Sequence, residues 1–214
     1  MSDAFVGARL TYSMGSLDES EVAESPIAQL QSWVQFAVEE QLLEPTAMTV
    51  CTVDAQGGPH ARTVLLREVN EVGLRFYTNL RSAKAQELEG NPRCAAHLLW
   101  LDLQRQVRIE GFVRSVPDAD ADAYFATRPR GSQLGAWSSP QSEPVDGRPE
   151  LEALFAETEQ RFADSSTIPR PAGWGGFELM PESMEFWQGR PNRMHDRLRY
   201  RRVDDRWALD RLAP

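Results

Sequence analysis

Between residues 45 and 115 the chain alternates short β-branched or aromatic runs with glycine-bearing gaps, and this rhythm limits what it can become. "TAMTVCTVD", "HARTVLLREV" and "LRFYTNL" are of strand length and are separated by "AQGG" and "NEVG". Gaps this short, carrying glycine, close hairpins, so the pattern predicts a meander of antiparallel strands. "RCAAHLLWLDL" and "RQVRIEGFVRSV" extend it, and "GFELMPESMEFWQG", an arginine-rich strand and "RWALDRL" finish the chain, with a turn at "GRPN". Helical spacing appears between the strands. Ser25-Pro26 makes a helix start, and Ile27, Leu30, Val34, Ala37, Val38 and Leu42 follow on one face, which predicts a helix over 26–43. Shorter helices are predicted at 82–89, 118–127 and about 150–163, with a Ser/Gly/Pro-rich loop at 131–148. Six or more antiparallel strands with inserted helices predict an α+β fold on a closed or nearly closed barrel. The acidic residues 1–24 are read as a mobile arm, and 25–214 as one domain.

Several chemistries are excluded. There is no G-x-x-x-x-G-K-[ST] loop, no G-x-G-x-x-G, no H-E-x-x-H and no G-x-S-x-G. His60, His97 and His195 are far apart in sequence, and Cys51 and Cys94 lie in apolar runs without metal-ligand spacing, so no metal site is expected and both thiols are read as free. No apolar run reaches membrane-spanning length, the N-terminus lacks a basic start followed by an apolar stretch, and the chain reads as cytoplasmic. A net charge of −9 argues against nucleic acid as the main partner. An enzyme built this way would leave the covalent chemistry to a bound cofactor.

Against that negative total, "EFWQGRPNRMHDRLRYRR" (185–202) holds six arginines and a histidine. Arg193, His195, Arg197, Arg199 and Arg201 alternate, so an extended strand would set them on one face, where like charges need water or an anion opposite them. Alone, the segment reads as a solvated basic strand. Two further places could hold phosphate. One joins Arg62 and Arg67 on a strand to Ser82 and Lys84, the only lysine, at a helix start. The other joins Tyr124 and Arg128, four apart on a helix, to Arg130 and Ser132. Each has an ordinary structural reading beside the functional one: Ser82 as a helix cap, Tyr124 as packing, Arg128 paired with an acid.

"RTVLLRE", "FYTNLRSAKAQEL", "RQVRIEG", "YFATRPRGSQLGAWSSPQS", "WGGF", "EFWQGRPNRMHDRLRY" and the terminal "RLAP" occur in the order seen in pyridoxamine 5′-phosphate oxidases, and the chain resembles that family from about residue 26 to 214. The resemblance implies an FMN-binding split β-barrel acting as a homodimer, with flavin at the subunit interface. It implies oxidation of pyridoxine or pyridoxamine 5′-phosphate to pyridoxal 5′-phosphate by O2, yielding hydrogen peroxide. By similarity Arg62, Thr63, Val64, Leu65, Leu66, Arg67, Tyr77 and Thr78 line FMN, and Lys84 anchors its phosphate. Gln106, Gln141 and Ser142 add polar contacts, the last two from the partner subunit, and Trp187 and Arg197 hold the flavin ring. The substrate phosphate falls to Arg67, Tyr124, Arg128 and Ser132. Arg193 and His195, with Met194 between them, lie over the pyridine ring as the catalytic pair, orienting the substrate and neutralising charge; His195 as a base is the lesser alternative. On this reading flavin and substrate oppose the arginine ladder.

The chain departs from the family in places. Arg67 stands where lysine is usual, and Ala83 where an arginine often precedes the lysine. Arg9 and Tyr12 fall in a segment that covers substrate in the family. Competing expectations are a sister flavin oxidase of phenazine assembly, which would lose the substrate-phosphate set, and a non-catalytic flavin or pyridoxal-phosphate carrier.

Overall fold

The computed structural model describes residues 11–214. In chain order the elements are α1 (Pro26–Glu39), β1 (Ala47–Val53), β2 (Pro59–Leu65), β3 (Glu68–Val69), β4 (Leu74–Asn79), α2 (Ala83–Gly90), β5 (Arg93–Trp100), β6 (Arg105–Ser115), α3 (Asp118–Thr127), α4 (Arg130–Ser138), α5 (Gly147–Arg161), β7 (Trp174–Gln188), β8 (Asp196–Val203) and β9 (Arg206–Arg211). The strand order is β2-β1-β5-β6-β7-β4-β3, with β8 on β7 and β9 on β8. The β3–β4, β4–β7, β7–β8 and β8–β9 ladders are antiparallel, so the α+β antiparallel class stands as expected.

Residues group into two compact units, each assembled from separated stretches. The first takes residues up to 49, 95–111 and 181–214; the second takes 50–94 and 112–180. In the first unit α1 buries Leu30, Trp33 and Ala37. Trp33 meets Phe186 edge-on at 5.2 Å and Trp100 at 6.3 Å, and Phe186 in turn meets Tyr200. Burying a ring such as Phe186 contributes roughly 1.5–3 kcal/mol. Residues 12–24, read as a free arm, have partners here: the Leu17 amide donates to Asp196 Oδ2 at 3.1 Å, Arg211 grips Glu19, and Tyr200 Oη donates to the Ala23 carbonyl at 2.6 Å. Arg9 lies outside the described residues.

In the second unit β4 runs antiparallel to the first half of β7, with Tyr77 opposite Gly176 and Asn79 opposite Trp174. A Cβ at Gly176 would come within 2.7 Å of the Tyr77 ring and 2.9 Å of the Phe76 carbonyl. Only glycine lets that ring lie flat on the strand.

Two boundaries differ from the sequence reading. Helix α1 stops at Glu39 rather than at 43, because Gln41 adopts φ of 56°, outside helical geometry. The expected loop from 131 begins instead with α4. Its glycines disfavour a helix, but Leu134 packs into a cluster with Phe125, Phe162, Ile168 and Trp174, and Gln133 Nε2 donates to the Phe125 carbonyl at 3.0 Å. Tertiary packing overrides local propensity there.

Candidate functional site

The second unit holds a recess of about 530 Å³. Strand β2 and the turn after it bring Arg62, Thr63, Val64, Leu65 and Arg67 to its wall. Strand β4 adds Tyr77 and Thr78; α2 adds Lys84; α3 and the loop and helix after it add Tyr124, Arg128 and Ser132; Gln141 and Trp174 complete it. Leu66, expected to line the cofactor, is packed into the core at 3% exposure and is not among the lining residues. Ser142 is exposed beside Gln141 and outside the lining.

Lys84 Nζ lies 3.1 Å from Thr78 Oγ1, 3.3 Å from Ser82 Oγ and 2.9 Å from Gln141 Oε1, and donates to all three. These are neutral acceptors; Glu87 acts on the charge only through space and is itself ion-paired with Arg62. Burial first, then the nearby Arg62 charge, push its pKa below that of an ordinary lysine. Ser82 does not cap α2 with its side chain; its hydroxyl donates to the Asn79 carbonyl at 2.7 Å. Gln141 reaches Lys84 and Thr78 of its own chain, so it needs no partner subunit to enter this recess.

At the other end of the recess Tyr77, Tyr124 and Trp174 form a column of near-parallel rings. Tyr77 lies 4.1 Å from Tyr124 and 5.4 Å from Trp174, with interplanar angles of 13° and 4°. The Arg128 guanidinium stacks on Trp174 at 4.8 Å, and its Nη1 is buried without a hydrogen-bond partner. Burial lowers the Arg128 pKa, and Arg67 adds to that shift. Arg128 ends α3 rather than riding within it, and its backbone is extended. It has no acid partner among the described residues. A buried donor left open costs stability unless something supplies an acceptor, and a phosphate oxygen is the acceptor this chemistry suits. The residues present therefore fit a phosphorylated ligand.

The first unit holds a smaller recess of about 330 Å³, lined by His97, Gln106, Arg108, Glu185, Trp187, His195, Arg197 and Pro214. His195 packs against Trp187 at 4.6 Å, with Tyr12 against both. Its Nδ1 accepts the Arg190 backbone N–H at 3.1 Å, which leaves the proton of the neutral ring on Nε2. Burial, then Arg193, hold its pKa below the usual histidine value. Gln106 Oε1 accepts from His97 Nε2 at 3.0 Å.

The arginine ladder differs from expectation. Strand β8 begins only at Asp196; Pro191–Arg193 form a 3-10 turn, and Arg193 is exposed with φ of 61°. Proline and the left-handed Asn192 prevent the strand from starting earlier. Within the strand, Arg197 Nε donates to Glu185 at 2.7 Å, and Arg199 and Arg201 share Asp210. The chain's own carboxylates pair with these arginines, though Arg199 Nε is buried without a hydrogen-bond partner. Met194 is exposed beside Arg193. Sequence reading missed Glu185, Asp210 and Trp174; the signal available was the acidic residues in the two strands that flank the ladder, and the tryptophan of "WGGF". Among the described residues no His/Cys/Asp/Glu cluster suits a metal ion, and no helix is long and apolar enough to cross a membrane.

An antiparallel sheet of this order with a cation-lined recess defines the split-barrel class. Among solved structures the chain is similar to PhzG from Burkholderia lata in complex with tetrahydrophenazine-1-carboxylic acid, with TM-score 0.86, 28% identity, and coverage of 94% of this chain and 100% of that one. It shares its fold with a pyridoxamine 5′-phosphate oxidase-related, FMN binding protein from Nostoc punctiforme, with TM-score 0.71, 20% identity, and coverage of 89% and 98%. A model described as pyridoxamine 5′-phosphate oxidase matches residues 35–162, and one for the pyridoxine 5′-phosphate oxidase C-terminal dimerisation region matches 174–214. Curated relatives named pyridoxine/pyridoxamine 5′-phosphate oxidase are 50% identical in a Cyanothece strain, over 96% of each chain, and 48% identical in Pseudomonas paraeruginosa, over 100% of each. The chain belongs to the pyridoxamine 5′-phosphate oxidase family, a family of enzymes.

Proposed function

We propose that this chain oxidises pyridoxine or pyridoxamine 5′-phosphate to pyridoxal 5′-phosphate with O2 as the terminal acceptor. The cofactor is FMN. Pyridoxine 5′-phosphate and O2 give pyridoxal 5′-phosphate and hydrogen peroxide; the amine substrate also consumes water and releases ammonia. The observation that carries this reading is the cationic recess of the second unit, where among the described residues Lys84 and Arg128 have no carboxylate in contact. Two phosphates, one at each end, supply the missing charge.

FMN held in this recess would supply the two-electron acceptor chemistry. The protein's part is binding and orientation. Arg62, Lys84 and Thr78 hold the flavin phosphate; Arg128, Ser132 and Tyr124 hold that of the substrate, with Arg67 on the same wall. Two copies pair, and Gln106, Trp187, Arg193, His195 and Arg197 of one copy complete the site of the other at the interface. His195, neutral and with its proton on Nε2, donates a hydrogen bond to the substrate ring rather than abstracting a proton. Met194 and Ser142 border this site, and Leu66 supports its wall from the core.

The similarity to PhzG favours a second reading, a sister oxidase acting on a phosphate-free ring. The orphaned Arg128 Nη1 opposes it, since that reading gives the atom no acceptor. A flavin or pyridoxal-phosphate carrier would keep both sites and lack turnover. Aerobic incubation of the flavin-loaded protein with pyridoxine 5′-phosphate, following pyridoxal 5′-phosphate and peroxide, separates the first reading from the other two. Equimolar formation of both products is expected; bound flavin without turnover would reject the proposal.

A further inference from the structure

Glu87 is a buried carboxylate that the reaction above does not use. It lies three residues beyond Lys84 on α2, so the two side chains leave neighbouring points of one helix face, and its side chain is only 9% exposed. Three residues donate to it: His60 Nδ1 to Oε1 at 2.6 Å, Arg62 Nη2 to Oε2 at 3.0 Å, and the Thr52 hydroxyl to Oε2. Arg62 Nη1 donates in turn to Thr52 Oγ1 and to the His60 carbonyl at 3.3 Å. Burial alone would raise the Glu87 pKa, but the hydrogen bonds from Thr52, His60 and Arg62 outweigh it and keep the group ionised.

The consequence falls on Arg62. An arginine on a cavity wall has many rotamers, and gripping a phosphate costs it that freedom; one already clamped through its guanidinium loses less on binding. Arg62 is the clamped cation of the recess, while Lys84 beside it touches only neutral acceptors. A carboxylate near a phosphate site also repels the ligand, but Glu87 is ion-paired to Arg62, and that pairing offsets its field at the recess. Orientation therefore outweighs repulsion.

We propose that Glu87 is a positioning residue: through Thr52 and Arg62 it holds the guanidinium toward the flavin phosphate and so raises FMN affinity without touching FMN. The inference rests on reading the Arg62–Lys84 wall as the flavin-phosphate site.

The test is fluorescence titration of the full chain, freed of flavin, with FMN and with riboflavin, which lacks the phosphate. E87A is expected to weaken FMN binding about tenfold and to leave riboflavin within about twofold. In an Arg62→Ala background the same change is expected to cost FMN less than about twofold, because its route of action is gone. E87Q keeps an acceptor for Arg62 and is expected to stay within about threefold of the unmodified chain; it carries the FMN and riboflavin comparison, with that smaller loss, if E87A does not fold. Equal losses for FMN and riboflavin, tighter FMN binding, or an undiminished loss in the Arg62→Ala background would overturn the proposal. Equal affinity of the unmodified chain for FMN and riboflavin would instead sink the phosphate-wall reading itself, and this inference with it.

Discussion

Arginine is used in two opposite ways in this molecule. On β8 the cations are dense but ion-paired, Arg197 to Glu185 and Arg199 and Arg201 to a shared Asp210, with one buried donor, Arg199 Nε, left open. In the recess of the second unit they are fewer, and among the described residues neither Lys84 nor Arg128 has an acid in contact. The Arg199–Arg201 end of the denser cluster is therefore scaffold, and the sparser one carries the vacant charge. Cation count alone does not locate an anion site; a partly buried cation with no carboxylate in contact does.

The largest effect should come from Arg128. Arg128→Ala is predicted to lower kcat/KM for pyridoxine 5′-phosphate about a hundredfold, from loss of a charge-assisted bond to phosphate, with flavin content unchanged. Steady-state kinetics with a flavin absorbance check decides it. Lys84→Ala comes next, with FMN affinity down about thirtyfold. Because the Lys84 pKa is depressed, FMN binding to the unmodified chain should weaken as pH rises through that value, earlier than an ordinary lysine near about 10.4 would dictate. Titrations across alkaline pH should lose that limb in the variant.

A smaller change is expected at His195. His195→Asn should lower kcat about tenfold, by removing a positioned donor. With its pKa held down, the unmodified histidine protonates only below its ordinary value of about 6.5, so any acid limb it causes lies under that pH and vanishes in the variant. A pH–rate profile of both proteins checks this. Asp210→Asn should do least. It frees two arginines of the ladder, yet kcat/KM and FMN affinity should each move less than about twofold, since that pair is a partly exposed surface contact. A large change there would erase the contrast between the two regions.

Much of the fold was legible because strand alternation and glycine turns are local signals: α3 was placed at 118–127, as observed, and the order of strands and helices held. Helix α4 was not legible, because its glycines argue for a loop and only the packing of Leu134 overrules them. The recess residues from Arg62 to Lys84 were found through contiguous motifs that the fold keeps together. The counter-charges were not: Glu185 and Asp210 meet the ladder only through the β7–β8 and β8–β9 registers, which sequence spacing does not specify. The ladder itself was misread at Arg193, where a proline turn delays the strand. Glu87 escaped notice because its meaning lies in three partners from two other strands.

The most direct measurement is a crystal structure of the flavin-loaded protein with pyridoxal 5′-phosphate bound. It should place the product phosphate within hydrogen-bond distance of Arg128 Nη1 and the flavin phosphate against Lys84 and Arg62. Phosphates seated on Arg199 and Arg201 with Asp210 displaced, or an Arg128 Nη1 still lacking an acceptor, would contradict the account.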